Sequence, residues 1–310
     1  SHVQIGEAKS NPWIVESGSG QGRPLSPDLY NLSTMSQAIL ISNPDFSNYA
    51  DDGGDVIYGD SIFDCNKKIK DILEQRIKWY RSMGLSLNIG KTEVIGFNFT
   101  PDNITIHNTT ISPKSEITFL GVKIRASLKL TSHVEHLCGK IRAAAGRIRL
   151  DGRHLRISDK RTLYFAWIQG LVQANGLAYL PTLNKTEILE LQTACNAGIR
   201  SIVGLPRYGY AEISALRRQL KIPSISGLKD RICSIAAWKK FSNPANDFSD
   251  YPGPITRGKC NKNIPLPDLR GHAGKISSAY LIKAWNSLPL HIKNSDSLNI
   301  VKRHVKKVFI

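Results

Sequence analysis

The sequence predicts an α+β fold: a mixed α/β part to about residue 125, then helices to the end. Three observations predict it. Short apolar runs punctuated by Gly, Asp and Asn crowd the first 125 residues. After about Lys129, apolar residues recur at helical spacing instead. A stretch rich in Pro, Gly and Asn, 243–267, then sets the last helices apart. The expected divisions are 1–125, 126–242 and 243–310.

Taken in order, Val3 to Val15 has short alternating segments and reads as a β-hairpin or loop. Ser17 to Gly22 is a Gly- and Ser-rich loop. Ser26-Pro27-Asp28 is a helix start, because Ser can cap free N–H groups, Pro suits the first turn and Asp complements the dipole. Leu29, Leu32, Met35 and Ile39 would form one face of that helix. Phe46 to Ala50 and Val56 to Tyr58 read as strands around a turn at Asp51-Asp52-Gly53-Gly54, since Asp-Gly favours hairpin turns. Cys65, Ile69, Ile72, Leu73, Ile77 and Tyr80 mark a long helix that stops near Gly84. Residues 85–97 look β-like, with a short strand near Ile104 to His107 and an apolar strand from Ile117 to Ile124, where Gly121 permits a bend or close approach. Helices are expected from His133 to Leu150, Ser158 to Ala178, Asn184 to Ile202, Gly227 to Phe241, Ser277 to Leu288 and Ser297 to Val308. Asn184 and Glu187 have capping-box spacing. In the last helix Leu298, Val301, Val305 and Val308 oppose Lys302, Arg303, Lys306 and Lys307.

Hydrophobic residues make up 41% of the chain, enough for a sizeable core, and no apolar run is long enough to span a bilayer. The absence of a charged-then-apolar leader points to an intracellular protein, nuclear or cytoplasmic, that is not secreted. Five scattered cysteines without a CxxC pair argue against a disulfide framework or zinc site. A net charge of +17 favours a polyanionic partner, with nucleic acid ahead of membrane because Lys and Arg are spread along the chain.

Tyr49-Ala50-Asp51-Asp52 places adjacent carboxylates at a hairpin tip. Such charge is costly unless cations share it, and Mg²⁺, an oxygen-seeking ion that also binds phosphates, is the natural partner. An isolated Asp-Asp-Gly is usually a solvated turn, but the flanking segments alter that reading. Gln21-Gly22-Arg23-Pro24-Leu25-Ser26-Pro27 precedes the hairpin; Leu87-Asn88-Ile89-Gly90-Lys91-Thr92 and then Phe119-Leu120-Gly121 follow it. In order and content these segments resemble motifs B, C, D and E of the reverse transcriptase palm. Ala284-Trp285-Asn286-Ser287-Leu288-Pro289 and the basic final helix narrow the resemblance to reverse transcriptases of non-LTR (LINE-type) retrotransposons.

The resemblance implies a partial polymerase palm followed by an all-α thumb and a C-terminal helical extension, with the fingers and motif A missing. It implies RNA-directed DNA polymerase activity, a nucleotidyl transfer to a primer 3′-hydroxyl assisted by two Mg²⁺ or Mn²⁺ ions. RNA template, DNA primer and dNTPs would be the partners. Asp51 and Asp52 match the metal-binding carboxylates, and Lys91 matches a lysine proposed to help protonate the pyrophosphate. Gln21, Gly22, Arg23 and Tyr49 match template- and nucleotide-binding positions. Phe119, Leu120 and Gly121 match the primer grip. The basic run Lys140, Arg142, Arg147, Arg149, Arg153 and Arg156 would contact nucleic-acid backbone without reading sequence.

A departure accompanies these matches. The family carries another metal-binding Asp upstream of motif B, whereas no Asp precedes Asp28 here, and Glu7 and Glu16 do not lie in an apolar strand. The expectation is that this chain alone does not polymerise, being either a crop of a longer protein or a decayed copy. The rival reading is a catalytically dead nucleic-acid-binding remnant. A metal-dependent nuclease using Asp51 and Asp52 is a third, and it leaves the Gln-Gly loop unexplained.

Overall fold

The computed structural model describes residues 4–11, 23–41, 43, 45–106, 108–206, 212–242, 262–264 and 277–309. It mixes helices with small two-stranded sheets, in keeping with an α+β chain. Two compact units divide it, Ser1–Ile117 and Thr118–Ile310. Among the described residues no helix is long and apolar enough to cross a membrane.

The first unit opens on a small hairpin, β1 (Gln4–Ile5) and β2 (Ala8–Lys9), turning at Gly6 with φ +60°. Helix α1 (Ser26–Leu40) follows, with Pro in its first turn as its sequence predicts. Its apolar stripe does not form a buried face: Leu29, Leu32 and Met35 are exposed, Leu32 at 70%. The side α1 buries instead carries Thr34 and Gln37, and Ser36 accepts a hydrogen bond from the Trp79 indole.

Strands β3 (Phe46–Tyr49) and β4 (Asp52–Asp55) form an antiparallel hairpin. Helix α2 (Ile62–Ser82) starts where the Ser61 hydroxyl accepts the Asp64 N–H at 3.1 Å. Its Ile77 packs with Ile104 and Ile106 of β5 (Ile104–Ile106), alongside Leu87, Ile89 and Val94. Residues 85–97 contain no strand. They fold instead into a 3₁₀ turn, Ile89–Lys91, because the Asn88 side chain accepts the Lys91 N–H. The expected short strand pairs with one the sequence did not announce, β6 (Thr109–Ile111), across Asn108 at φ +64°.

The apolar run 117–124 is a hairpin rather than one strand: β7 (Glu116–Phe119), a turn at Leu120–Gly121, and β8 (Val122–Arg125). Both turn residues have positive φ, +46° and +79°, the requirement of a type I′ turn.

The second unit is helical after β8. Helix α3 (Thr131–Leu150) packs along α7 (Lys185–Val203), burying Ile141, Ile148, Leu191, Ile199 and Ile202. At the start of α7, the Asn184 side chain accepts the Glu187 N–H and Glu187 accepts the Asn184 N–H, each at 2.9 Å. Gly204 at φ +76° closes the helix. The expected single helix 158–178 is broken. Helix α4 (Ile157–Tyr164) continues through a π turn, Phe165–Gln169, into α5 (Gly170–Gln173), and a separate α6 (Gly176–Tyr179) follows Asn175 at φ +54°. Asn175 leaves the helical region while its side-chain amide donates to the Leu120 carbonyl.

A short helix not expected from sequence, α8 (Ile213–Gln219), precedes α9 (Ile225–Phe241). The Ile225 N–H donates to Gln192 Oε1 at 2.9 Å, tying α9 to α7. Helix α10 (Ser277–Ser287) ends ahead of Pro289, and α11 (Leu290–Lys293) and α12 (Leu298–Val308) complete the chain. The Trp-Asn of the Trp-Asn-Ser-Leu-Pro segment clamps residues 262–264. Trp285 Nε1 donates to the Lys262 carbonyl, and the Asn286 amide pairs with both backbone groups of Ile264. Apart from 262–264, the expected linker 243–267 lies outside the described residues. Cys65, Cys138, Cys195 and Cys233 are free and buried, and Cys260 lies outside the described residues.

Candidate active-site hairpin and basic groove

The paired carboxylates sit at a tip with an anchored base. Strand register sets Phe46 opposite Asp55 and Tyr49 opposite Asp52. The turn is therefore Ala50–Asp51, not the Asp-Gly pair that propensity favours. Gly53 and Gly54 lie within β4, opposite Asn48 and Ser47. Ala50 takes φ +53°, a left-handed conformation that an L side chain adopts at a cost on the order of 1 kcal/mol.

The base explains the register. Arg76, on α2, donates from Nε to Asp55 Oδ2 at 2.6 Å and from its terminal nitrogen to Oδ1. Its guanidinium carbon lies 3.7 Å from the centre of the Phe46 ring. Asn43 Nδ2 also donates to Asp55 Oδ1, at 2.7 Å. One arginine thus grips both members of the Phe46–Asp55 pair. An Asp52-Gly53 turn would set Ala50 opposite Asp55 and break that grip.

Asp51 and Asp52 are exposed, and among the described residues neither pairs with a cation. Asp51 lies close enough to Tyr30 of α1 to act on it. Burial, then Tyr80, then Asp51 raise the Tyr30 hydroxyl pKa. Tyr49, matched to a template- and nucleotide-binding position, is 69% exposed. Lys91 is exposed at the end of its 3₁₀ turn. Arg23 is exposed and accepts the Ser26 N–H through its carbonyl. Gln21 and Gly22 lie outside the described residues.

The donor set suits a hard cation in kind but is incomplete in number. Adjacent carboxylates open to water fit a Mg²⁺ ion that keeps most of its own waters. Among the described residues, no group of three or more His, Cys, Asp or Glu side chains is arranged to hold a metal ion.

In the second unit, Phe119 and Leu120 are half-buried and Gly121 is exposed. Their turn is held by Asn175, as above, and the Lys123 N–H donates to His133 Nδ1 at 3.4 Å. An open groove of about 540 Å³ runs between α3 and the α4–α5 segment. Lys140 and Arg147 line it, with Trp167 on the π turn and a floor of Ala143, Ala144 and Gly170. Trp167 is 38% exposed, so a flat aromatic face borders two cations.

The other four basic residues do not join this groove. Arg142 is exposed on α3, two residues from Lys140 and so on another side of the helix. Arg149 donates to the Leu205 carbonyl at 2.7 Å. Arg156 pairs with Asp159 at 3.2 Å, and Arg153 is exposed beyond the helix.

Sequence reasoning missed Asp55, Arg76 and Asn43. A signal was present: Arg76 interrupts the apolar stripe of α2 between Leu73 and Tyr80. A charge placed there must find a buried partner. No protein-family model, curated protein or solved structure matches the chain.

Proposed function

We propose that the chain is the palm-to-thumb part of a reverse transcriptase of the non-LTR retrotransposon kind. In the intact parent it would add dNTPs to a primer 3′-hydroxyl on an RNA template. The observation that carries this reading is the bare Asp51–Asp52 tip on a base locked by Asp55 and Arg76. A merely solvated turn needs no buried ion pair to fix its register. The ordered Gln-Gly, Tyr-Ala-Asp-Asp, Leu-Asn-x-x-Lys-Thr and Phe-Leu-Gly segments give that tip its chemistry by resemblance.

Asp51 and Asp52 are the residues that would hold Mg²⁺ or Mn²⁺. When bound, such ions activate the attacking hydroxyl and stabilise the leaving phosphate oxygen. Gln21, Gly22 and Arg23 take the template and incoming nucleotide, and the Phe119–Gly121 turn supports the primer. Lys91 offers a proton to the departing pyrophosphate. Lys140 and Arg147 offer charge to a phosphate backbone, with Trp167 as a stacking face.

The second reading is a catalytically dead nucleic-acid-binding remnant on the same scaffold. A primer-extension assay separates the two. It uses poly(rA)·oligo(dT) and the chain together with any residues that its open reading frame encodes upstream. Incorporation of dTTP that D51N abolishes supports the polymerase. Incorporation indifferent to D51N and D52N refutes it, and tight template–primer binding without incorporation leaves the remnant reading standing.

A further inference from the structure

The charge on the last helix is organised by its packing. On α12, Val301 and Val305 are fully buried, in a cluster with Ala237, Trp238, Trp285, Leu288 and Ile292. That burial turns Lys302, Arg303 and Lys306 outward, along one edge of the contact with α9. There an open groove of about 500 Å³ is lined by Arg231 and Ile235 from α9 and by Asn299, Lys302, Arg303 and Lys306 from α12. The α12 residues fall at i, i+3, i+4 and i+7, a single stripe on the helix.

Four cations thus share one groove, and among the described residues no carboxylate lines it. Among the described residues none of the four has an ion-pair partner. Arg231 is half-buried, and burial lowers its pKa. A folded chain that holds like charges this close, one of them partly desolvated, stores repulsion that a polyanion relieves.

From this arrangement we propose that the α9–α12 groove is a phosphodiester-backbone site, binding nucleic acid through Arg231, Lys302, Arg303 and Lys306. Neighbouring residues on one helix stripe stand about 5–6 Å apart, so charges repeat along the groove as phosphates repeat along a strand. An anionic membrane is the poorer partner. Amphipathic helices bind bilayers by inserting their apolar face, and that of α12 is occupied by the core. An acidic peptide is poorer too, since among the described residues Ile235 is the only apolar side chain lining the groove. The site is independent of nucleotidyl transfer and stands whether or not Asp51 and Asp52 hold metal.

The test is fluorescence anisotropy on the full chain with two probes, a labelled 20-nucleotide oligo(dT) and a 20-base-pair duplex of mixed sequence, at several salt concentrations. The variant K302Q/R303Q/K306Q removes three exposed charges, and R231Q removes the half-buried one. For the triple variant the expected result is at least a tenfold loss of affinity at about 0.1 M salt. Its log–log salt slope should be shallower by about two on oligo(dT) and closer to about three on the duplex, from 0.7 and 0.9 per lost phosphate contact. Loss on oligo(dT) alone marks a single-strand site, and loss on both probes a general backbone site. The readout is binding and not incorporation, so loss in the triple variant is scored whether or not the chain transfers nucleotides, which separates this site from the polymerase reading. Should the triple variant fail to fold, acetylation of the unaltered chain replaces it: oligo(dT) must shield Lys302 and Lys306. Unchanged affinity and slope in folded variants, or no shielding, overturns the proposal. So does charge-dependent binding to phosphatidylserine vesicles with none to either oligonucleotide.

Discussion

Replacing Arg76 by methionine keeps a long apolar stem but deletes the guanidinium that fixes the β3–β4 hairpin. In the folded chain the Arg76 side chain is 5% exposed and that of Asp55 17%, so the pair is largely shielded from water. The substitution removes both hydrogen bonds to Asp55 and the stack on Phe46, leaving a shielded carboxylate with only Asn43 as donor. Removing one partner of a buried pair costs about 3–5 kcal/mol. At about 1.4 kcal/mol per tenfold, even the lower figure makes hairpin opening roughly 100-fold more frequent. Hydrogen exchange read by mass spectrometry on peptides spanning 46–55 measures it directly. Protection there should fall by about that factor, or to the limit of an open hairpin, while α3 and α7 keep theirs. The double variant D55L/R76M should recover much of the loss, because an apolar pair leaves no stranded charge. Unchanged exchange in R76M, or a double variant as labile as the single one, would show that the ion pair does not set the hairpin.

Three other outcomes follow from the second unit. A Cβ at Gly198 would lie 2.4 Å from Ile168 Cδ1 and 2.9 Å from the Tyr164 ring, so Gly198→Ala should lower urea stability by about 1–3 kcal/mol through overpacking. Asn184→Ala removes the capping-box acceptor of α7 and should cost about 1 kcal/mol in the same titration. Burial pushes the Cys195 thiol up to about 12 and that of Cys233 up to about 11. Their neutral forms are favoured in the fold, so the stability they contribute is full below the unfolded thiol value of about 8.5. It drains away as pH rises from there through the folded values. Urea midpoints should therefore fall between about pH 9 and 11, less so in C195A, and native Cys195 and Cys233 should resist iodoacetamide at pH 8.

Much of the helical architecture was legible because its determinants are local. Asn184 and Glu187 cap α7 three residues apart, Pro289 stops α10, and the Val301–Val305 stripe settles which side of α12 is buried. What escaped depends on distant partners. The Asp-Gly pair makes a good turn in isolation, yet the turn falls at Ala50–Asp51 because Arg76, 21 residues beyond Asp55, selects the register. The helix expected over 158–178 breaks at Asn175, whose amide answers a carbonyl 55 residues earlier. Leu29, Leu32 and Met35 have helical spacing but are exposed among the described residues of the first unit, so periodicity gave the helix and not its buried side. The acids of the hairpin tip were readable from motif order, whereas Asp55, Arg76 and Asn43 belong to no motif. They are recognised only once α2 and the hairpin are seen together. The basic run after β8 was readable as charge, but the fold commits Arg149 and Arg156 to its own carbonyl and carboxylate groups.

In the proposed function, the tip of β3–β4 is a place for divalent cations. Titration with Mn²⁺, followed by the electron paramagnetic resonance signal of the free ion, tests it on the chain as it stands. The expected result is saturable Mn²⁺ binding that Mg²⁺ competes away and that D51N and D52N each weaken, with secondary structure unchanged. Binding that survives in D51N/D52N, or a complete lack of Mn²⁺ uptake by the unaltered chain, would contradict it.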